Sequence, residues 1–527
     1  MEVSTPIEQF ESFAVKKRAI PVFLRFFFFG LMLPLSFAPF HLPGLAILSL
    51  ALFYHLLNET PKSAFLHGLV YGFGFFGLGV SWIFVSIHEY GHLNDLLSAL
   101  ITFLFIIYLS LFPALTAFLF NRLRIQPFTL LSAFAFSALW ILGEYLRATF
   151  LTGFPWLLLG FGQFDAPFKF LLPIIGVYGI GFLTCFAAAL LSLGFKAQGV
   201  TRLRHVVLFI VIVLTPFVFK HRQWSESHAA PVSVGVIQAN LSMRDKWDEA
   251  LFWQLLQGYQ EETEKLLGTE LILMPESAIP LPPSYVSDFL YQMQQRAKRA
   301  GSAILLGIPQ PVSPGDERYF NSLITLGKAR GSYQKQHLVP FGEYMPRFFI
   351  ALSDWLGIPD ANLQAGKSDQ TLIRVQKHAI ASLICYELAY GDLLRRQLPA
   401  AEWIVSISDD GWFGHSLAMY QQQQMAQVRS LQVARYQAVA NNDGLSSIIN
   451  HQGDIVASLP AFTSGLLRAS LYPMTGSTPW TYWGDTPVLL FCALIYLFCL
   501  VQKQLKNKDS AEAIAGEVKR RYPYQPV

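Results

Sequence analysis

The sequence predicts a polytopic α-helical membrane region of about eight spans that is interrupted by one large α/β domain. Of the 527 residues, 53% are hydrophobic and only 14% are charged, whereas soluble domains carry about 25% charged residues. Long apolar runs fill residues 19–221 and return at 487–502. The residues between these runs have the mixed composition of a globular domain. We therefore predict a membrane region at 1–222, a soluble domain at 223–476, and a last span with a tail at 477–527.

Eight apolar segments have the length of a bilayer-crossing helix, about 20 residues. Pro39, Pro43 and Gly44 are turn signals, and they separate the first segment from the second. A basic stretch precedes the first segment and no small-residue cleavage site follows it, so we expect that segment to be retained. The predicted spans are 20–40, 43–58, 64–87, 95–121, 128–146, 168–195, 203–220 and 483–502.

The Lys and Arg residues of the short connections predict the orientation. In membrane proteins, the cytoplasmic connections between spans carry an excess of Lys and Arg. Here the connections on one side of the membrane hold nearly all of these residues, and those on the other side hold only Arg147 and Lys169. This places the N-terminus and the tail in the cytoplasm and the soluble domain on the periplasmic side of a bacterial inner membrane. The residues on the basic side are Lys16, Lys17, Arg18, Lys62, Arg122, Arg124, Lys196, Arg202, Arg204, Lys503, Lys506 and Lys508.

Several ligand-binding motifs are excluded or absent. The stretch GFGFFG at 72–77 matches a dinucleotide-binding pattern, but that pattern has meaning only between a strand and a helix. Inside an apolar span, such glycines favour close helix packing. The sequence contains no H-E-x-x-H zinc motif, no P-loop, and no basic cluster interleaved with aromatic residues. We therefore expect no cofactor, no metal and no nucleic-acid partner.

The soluble domain alternates strand and helix patterns, which favours an α/β sandwich. Residues 248–267 and 416–439 have helical spacing. Residues 320–346 are typical of two strands joined by a turn at Gly331-Ser332, and 446–459 of a hairpin. Apolar runs of the length of buried strands occupy 232–240, 270–277, 302–309, 378–385 and 402–410.

Three chemically capable residues end strands of this domain: Glu276, Lys335 and Cys385. Each one alone is more often structural, as a solvated cap, a surface charge or a packing residue. Active sites of open α/β sheets lie at the carboxyl ends of the strands, so the three together indicate a catalytic site. The other cysteines, Cys185, Cys492 and Cys499, lie in apolar runs and are expected to be buried small residues.

The sequences around these residues resemble a known superfamily. LMPES, KQHLVPFGEY and ICYE are similar to the Glu-Lys-Cys motifs of the nitrilase-like carbon–nitrogen hydrolases. With spans on both sides, nearly the whole chain resembles the apolipoprotein N-acyltransferases. The resemblance implies an α-β-β-α sandwich. Further matching motifs are the E-x-x-R of Glu144 and Arg147, GFPW at 153–156, FNS at 320–322 and DGWFG at 410–414.

The resemblance implies an acyl-transfer mechanism. Glu276 would be the general base, Lys335 and the backbone N–H of Tyr386 would stabilise the oxyanion, and Cys385 would carry a thioester. The acyl donor would be a membrane phospholipid, expected to be phosphatidylethanolamine. The acceptor would be the α-amine of the diacylglyceryl-cysteine at the N-terminus of an apolipoprotein.

Other positions keep two interpretations. Glu343 supports the triad or is a surface carboxylate, and Trp247 contacts lipid or anchors the core. Trp412 and Phe413, with Leu417 and Met419, line a lipid-accessible mouth or pack at a helix start. Glu144 and Arg147 receive no role. Two departures from the family pattern, Asp409-Asp410 and MYQQQQMAQ at 419–427, bring the local substrate contacts into question.

Two other functions compete with acyl transfer. A membrane-tethered nitrilase or amidase that hydrolyses a small amide would use the same triad, but a soluble substrate gives no reason for eight spans. A transporter or scaffold with an inactive domain would not require Cys385, and transporters more often place paired charges or broken helices in their spans.

Overall fold

The computed structural model describes residues 21–91, 93–346, 350 and 362–521. The basic residues 16–18, on which the predicted orientation partly depends, lie outside these ranges. In the described part of the chain, the helices of more than ten residues are α1 Val22–Met32, α2 Gly44–Glu59, α3 Ala64–Gly79, α4 Asp95–Arg122, α5 Leu130–Thr149, α6 Leu172–Lys196, α7 Gly199–Leu214, α8 Phe252–Leu266, α9 Ser287–Ala300, α10 Ala418–Val433 and α11 Thr486–Arg521.

All eight predicted spans contain a helix, but eight full spans are not confirmed. A sixth span exists only if α3 and Ile83–Glu89 count as one, bent by 65°. Val22–Ser36 and Gly44–Glu59 are shorter. The first apolar run leaves the α-helix at Met32 because Pro34, which lacks a backbone N–H, lies in a 3₁₀ turn. The five helical segments long and apolar enough to cross a membrane are Asp95–Arg122, Leu130–Thr152, Pro167–Lys196, Gly199–Phe219 and Thr486–Asp509.

Two of the three glycines of GFGFFG, Gly72 and Gly74, allow close packing of α3 between α1 and α4. A methyl group on Gly74 would lie 2.3 Å from the carbonyl oxygen of Phe27. One on Gly72 would lie 2.8 Å from the Cα of Ser110. The motif therefore serves helix contact, as its position in an apolar span predicts.

The strands form two large sheets and a two-stranded ribbon. Within the described residues, the strands are β1 Ser225–Ser227, β2 Val232–Gln238, β3 Leu271–Leu273, β4 Ala303–Pro311, β5 Tyr319–Gly327, β6 Ala329–Arg330, β7 Ser332–Gln334, β8 Ile373–Val375, β9 His378–Ile384, β10 Trp403–Ser408, β11 Gln437–Asn441, β12 Ser447–Ile449, β13 Ile455–Ser458, β14 Gly465–Leu471 and β15 Met474–Gly476. The seven-stranded sheet has the order β13-β12-β11-β10-β9-β8-β6, and the six-stranded sheet has the order β14-β2-β3-β4-β5-β7. The ribbon is formed by β1 and β15.

The six-stranded sheet is buried on both faces. Leu271 and Leu273 face the other sheet, and Ile272 and Met274 pack in a second cluster with α8 and α9. Successive side chains of a strand point to opposite faces, so a continuous apolar run suits this position. Helices α8 and α9 thus cover the face of this sheet that is turned away from the seven-stranded sheet, as an α-β-β-α sandwich requires.

Three predicted boundaries are wrong. The second of the two strands predicted within 320–346 ends at Gln334. The strand predicted at 270–277 ends at Leu273, so Glu276 lies in the loop that follows. The helix predicted at 416–439 ends at Val433, because Ala434 takes a left-handed conformation with φ of 53°. Residues 437–441 then form β11, which pairs with β10 in parallel.

Helix α10 lies buried between the seven-stranded sheet and the apolar helices. Its glutamines divide between these neighbours. Gln421 donates to the carbonyl of Gly79 at 3.1 Å, and Gln424 accepts from the backbone N–H of Ala38 at 3.1 Å. Gln422 and Gln423 donate to Ser408 and Ser447 of the sheet. The MYQQQQMAQ departure therefore forms a polar connection between the two regions.

Candidate active site

Cys385 lies in a sharp turn at the end of β9. It has a φ of 54° and begins a 3₁₀ turn that extends to Ala389. A left-handed conformation is uncommon for a residue with a side chain, and such strain is concentrated at functional sites. The turn places the thiol at the carboxyl end of β9, where only 7% of the residue is exposed.

The carboxylate of Glu387 holds this turn in place. It accepts from the backbone N–H of Ile384 at 2.8 Å, just before the cysteine. It also accepts from the N–H groups of Gln336 at 2.6 Å and His337 at 3.1 Å, just after Lys335. One buried side chain therefore joins the cysteine turn to the segment that carries the lysine.

Glu276 and Lys335 meet in a buried cluster of charges. The ammonium group of Lys335 lies 3.2 Å from Glu276 Oε1 and 2.9 Å from Glu343 Oε1. Asn321, in the FNS motif, donates to the same two carboxylate oxygens at 2.6 Å and 3.0 Å. A second donor to Glu276 is the backbone N–H of Asp409, at 3.2 Å. The two carboxylates thus share both a cation and an amide.

A buried ion pair supports the other side of Glu276. The ammonium group of Lys246 contacts the carboxylate of Asp409 and donates to the backbone carbonyl of Glu276 at 2.9 Å. Asp409 also accepts from Gly411 N–H at 3.2 Å and from Asn442 Nδ2 at 3.1 Å. The Asp409 departure from the family pattern therefore has a nearby cation as its partner.

The environment keeps the thiol protonated at rest. Burial raises the pKa of Cys385 well above its usual range, and the negative charge of Glu276 adds to this, whereas Lys335 and a hydrogen bond with Ser408 oppose it. Burial also raises the pKa of Glu276, although the charge of Lys335 opposes the shift. For Lys335, burial alone would lower the pKa, but Glu276 and Glu343 together hold it well above its usual range. The arrangement suits a neutral thiol beside a carboxylate base.

A loop between α5 and α6 contacts the turn directly. The hydroxyl of Tyr386, the residue after Cys385, donates to the carbonyl of Gly153 at 3.2 Å. Its ring stacks near Phe154 and Trp156, with centroids 6.4 Å and 6.3 Å away. The GFPW motif of the apolar region is thus one wall of the site.

Glu144 and Arg147 organise that loop from inside the apolar helices. Arg147 donates to the carbonyls of Phe154 at 2.7 Å and Trp156 at 2.6 Å. Glu144 accepts from the backbone N–H of Leu159 at 3.0 Å. Both side chains are buried. The E-x-x-R motif, to which the sequence assigned no role, therefore holds the loop that packs against Tyr386.

Comparisons with known proteins agree with this architecture. A family model described as Apolipoprotein N-acyltransferase N-terminal domain matches residues 29–190, and one described as Carbon-nitrogen hydrolase matches residues 233–479. The apolipoprotein N-acyltransferase of Methylococcus capsulatus is 36% identical to this chain, and the alignment covers 93% of this chain and 97% of the relative. The apolipoprotein N-acyltransferase of Coxiella burnetii is also 36% identical, and the alignment covers 90% of this chain and 98% of the relative. The chain belongs to the apolipoprotein N-acyltransferase family.

Solved structures that resemble this chain align with about half of its length. A CN-hydrolase superfamily protein of Xanthomonas campestris is 16% identical, with a TM-score of 0.36, and the match covers 50% of this chain and 97% of that one. An amidase of Nesterenkonia sp. is also 16% identical, with a TM-score of 0.34 and coverage of 50% and 96%.

The remaining predicted residues differ in their surroundings. Glu343 pairs with Lys335 and only 14% of its side chain is exposed, so the surface-carboxylate interpretation is wrong. Phe413 packs against Trp82, with ring centroids 4.9 Å apart, while 41% of Trp412 is exposed. Trp247 follows the short helix Met243–Lys246 rather than beginning α8, and 53% of it is exposed, which excludes a core anchor. Met419 is buried and does not line an open mouth.

Sequence reasoning missed the roles of Glu387, Asn321 and Lys246. Glu387 and Asn321 stand inside the quoted motifs ICYE and FNS, and the motifs were the available signal. No sequence motif marks Lys246, because its partner Asp409 lies 163 positions further along the chain. Its environment becomes visible only when the chain is folded.

Proposed function

We propose that this family member transfers an acyl chain from a membrane phospholipid to the N-terminal α-amine of the diacylglyceryl-cysteine of apolipoproteins. The single observation that carries the proposal is the place of the buried Cys385 thiol: the charges of the Glu276–Lys335 pair act on it, and the 153–156 loop of the apolar region contacts its turn. A site of this kind suits acyl substrates that stay in the bilayer. The relatives at 36% identity, named apolipoprotein N-acyltransferase, support it.

In the first half reaction, Glu276 takes the proton of the Cys385 thiol as sulfur attacks the ester carbonyl of the phospholipid. The negative charge that develops on the carbonyl oxygen is stabilised by Lys335 and by the backbone N–H of Tyr386. That N–H lies in the first turn of a 3₁₀ helix, where backbone donors have no partner within the helix. The ester C–O bond breaks, the protonated Glu276 returns its proton to the lysophospholipid, and a thioester remains.

In the second half reaction, the α-amine of the acceptor attacks the thioester carbonyl. Glu276 accepts a proton from the amine, the C–S bond breaks, and the protonated Glu276 passes this proton to the departing sulfur. The product is an amide, and the enzyme returns to its starting state. Hydrolysis of the thioester is limited because Cys385 is almost completely buried and the rings of Phe154 and Trp156 pack against Tyr386, the residue that follows it.

We also propose that the sandwich faces the periplasm of a bacterial inner membrane. Lys503 donates to the carbonyl of Arg122 at 2.8 Å, and Lys196 pairs with Glu59 at 3.0 Å, so these helix ends lie together. The opposite ends carry the loops that contact the sandwich. Basic residues at the end away from the sandwich favour a cytoplasmic position for that end.

Intact mass measurement of the detergent-solubilised protein tests the function. Incubation with phosphatidylethanolamine and no acceptor should add the mass of one acyl chain, and hydroxylamine should remove it. Cys385→Ala should show no gain, whereas Cys499→Ala, a control in the last helix, should gain as the wild type does. Addition of a diacylglyceryl-cysteine peptide should then transfer the chain to the peptide amine.

The opposite result would redirect the interpretation. No mass gain in the wild type, with the phospholipid left intact, would count against phospholipid as the donor and would favour hydrolysis of a small amide. A gain that survives in Cys385→Ala would remove the thioester from the mechanism.

A further inference from the structure

A second group of chemically capable side chains lies at the end of the seven-stranded sheet opposite Cys385. His378 is the first residue of β9, and Glu402 immediately precedes β10. The two strands are parallel, so both residues lie at the same edge. His228 follows β1 and approaches this edge from the ribbon. Cys385 lies seven positions after His378, so the usual rise of a strand separates the two residues by about 23 Å.

The three side chains converge on one point. Glu402 Oε2 lies 2.5 Å from His378 Nδ1 and 3.1 Å from His228 Nε2. All three ligand atoms lie within 4.8 Å of one another. The side chain of His378 is 8% exposed and that of Glu402 is 18% exposed, while His228 is 38% exposed. The cluster is therefore held by the sheet on one side and open to solvent on the other.

From this geometry we propose that His228, His378 and Glu402 bind one divalent transition-metal ion, with zinc as the best fit. Two imidazole nitrogens and one carboxylate oxygen are ligands that Zn²⁺ prefers, at about 2.0–2.2 Å. A tetrahedral arrangement at those lengths separates neighbouring ligand atoms by roughly 3.3 Å. The His228–Glu402 separation already fits, and the His378–Glu402 pair needs to open by less than about 1 Å. Water would complete the site on the open side.

A buried arginine holds the backbone next to the cluster in place. Arg435 donates to the carbonyl of Ala401, the residue before Glu402, at 2.9 Å, and to the carbonyl of Gly476, at the end of β15, at 2.7 Å. It therefore ties the ribbon to the sheet beside the three ligands. Because the three ligand atoms lie within 4.8 Å of one another, they surround space for one ion.

The place of the cluster in the fold indicates what the metal does. β1 begins the sandwich shortly after α7, and its partner β15 ends it shortly before α11. The backbone of Glu402 connects to this ribbon, because its carbonyl accepts from Met474 N–H at 3.0 Å. A metal bound by His228 and the two sheet residues would clamp the ribbon to the sheet. Its function would be to stabilise the junction between the sandwich and the apolar helices.

No short motif marks this site, which explains why the sequence predicted no metal. The ligands lie 150 and 24 positions apart along the chain. Zinc motifs that can be read from a sequence have ligands a few residues apart.

Equilibrium dialysis of the full-length chain against Zn²⁺ tests the proposal. The protein should carry no polyhistidine tag and should have the background change Cys385→Ala, so that neither a tag nor the active-site thiol binds the ion. One Zn²⁺ per chain is expected. The isosteric Glu402→Gln and the partly exposed His228→Gln should each weaken binding at least about 100-fold, because loss of an outer-shell partner alone typically costs 10–100-fold. His221→Gln, an exposed histidine outside the cluster, should bind as the parent does.

Two further measurements make the result decisive. Co²⁺ bound to the parent should show the strong visible absorption of a tetrahedral site, and Zn²⁺ should raise the unfolding temperature of the parent but not of Glu402→Gln. The proposal is overturned if the parent binds no Zn²⁺ at 100-fold excess over the protein. It is equally overturned if Glu402→Gln and His228→Gln bind as tightly as His221→Gln, since the three side chains would then form a hydrogen-bonded group only.

Discussion

The buried pair of Lys246 and Asp409 allows a sharp test of how the site is held together. The two side chains are 0% and 2% exposed. Asp409→Asn keeps the shape of the side chain and removes its charge, so Lys246 keeps only neutral acceptors such as the carbonyl of Glu276. Removing one partner of a buried ion pair typically costs about 3–5 kcal/mol in the free energy of unfolding. We expect Asp409→Asn to lie in this range.

The reciprocal change should cost less. In Lys246→Met, the carboxylate of Asp409 keeps the N–H of Gly411 and the amide of Asn442 as donors. Charged groups that retain hydrogen bonds lose less on burial. The double variant removes both charges, so it should be more stable than the sum of the single changes predicts, by about 2–3 kcal/mol, within the range measured for residues in contact.

The assay is denaturant unfolding of the four proteins in one detergent, together with the rate of acyl-enzyme formation. Arg318→Met provides the matched control, because Arg318 pairs with Asp316 on the surface of the same sandwich, and exposed pairs contribute little. If the single changes add within about 0.5 kcal/mol, the two side chains do not form a coupled pair. The reasoning about Glu276 would fail if Asp409→Asn left the rate of acyl-enzyme formation unchanged while it destabilised the fold.

Four further predictions concern the base and the wall of the site. Burial raises the pKa of Glu276, so acyl-enzyme formation should decrease as the pH falls through that raised value. Glu343→Gln removes a nearby negative charge and should move the midpoint of the pH–rate profile to lower pH; an unmoved midpoint would contradict the coupling. Arg147→Met leaves two loop carbonyls unsatisfied and should slow single-turnover acylation up to about 100-fold, whereas an unchanged rate would separate the loop from catalysis. Gly153→Ala should abolish acylation and lower the unfolding temperature. Its new Cβ would lie 1.9 Å from a backbone carbonyl oxygen, and the φ of 85° at this position is strained for a residue with a side chain. Gly77→Ala is the control: its Cβ would meet no atom within 4 Å, so it should behave as the wild type in both measurements.

The fold class and the family of the protein could be predicted from local sequence. Apolar runs indicate buried segments directly, because the free energy of removing a side chain from water depends on the apolar surface of that side chain alone. Strand-length runs that end near Glu276, Lys335 and Cys385 indicate strand ends, which is where α/β domains place their active sites. Local sequence does not assign these strands to sheets: β3 and β7 lie in the six-stranded sheet and β9 lies in the seven-stranded one. The alternation of strand and helix patterns indicates an α/β sandwich.

Local sequence could not establish how far each helix continues. The apolar runs at 20–40 and 64–87 are long enough to span a bilayer, but each contains a turn or a bend that depends on backbone conformation. The same limit applies to residues 437–441. Their composition suits either a helix or a strand, and pairing with β10 decides for the strand.

Only the tertiary structure revealed which distant residues support the site. Lys246 meets Asp409, Glu387 meets the segment after Lys335, and Arg147 reaches the site through the loop at 153–156. The physical reason is the short range of these interactions: a hydrogen bond or a buried ion pair requires a few ångströms of separation. The sequence by itself determined which side chains can do chemistry, and the packing of the sandwich against the apolar helices decided which of them meet.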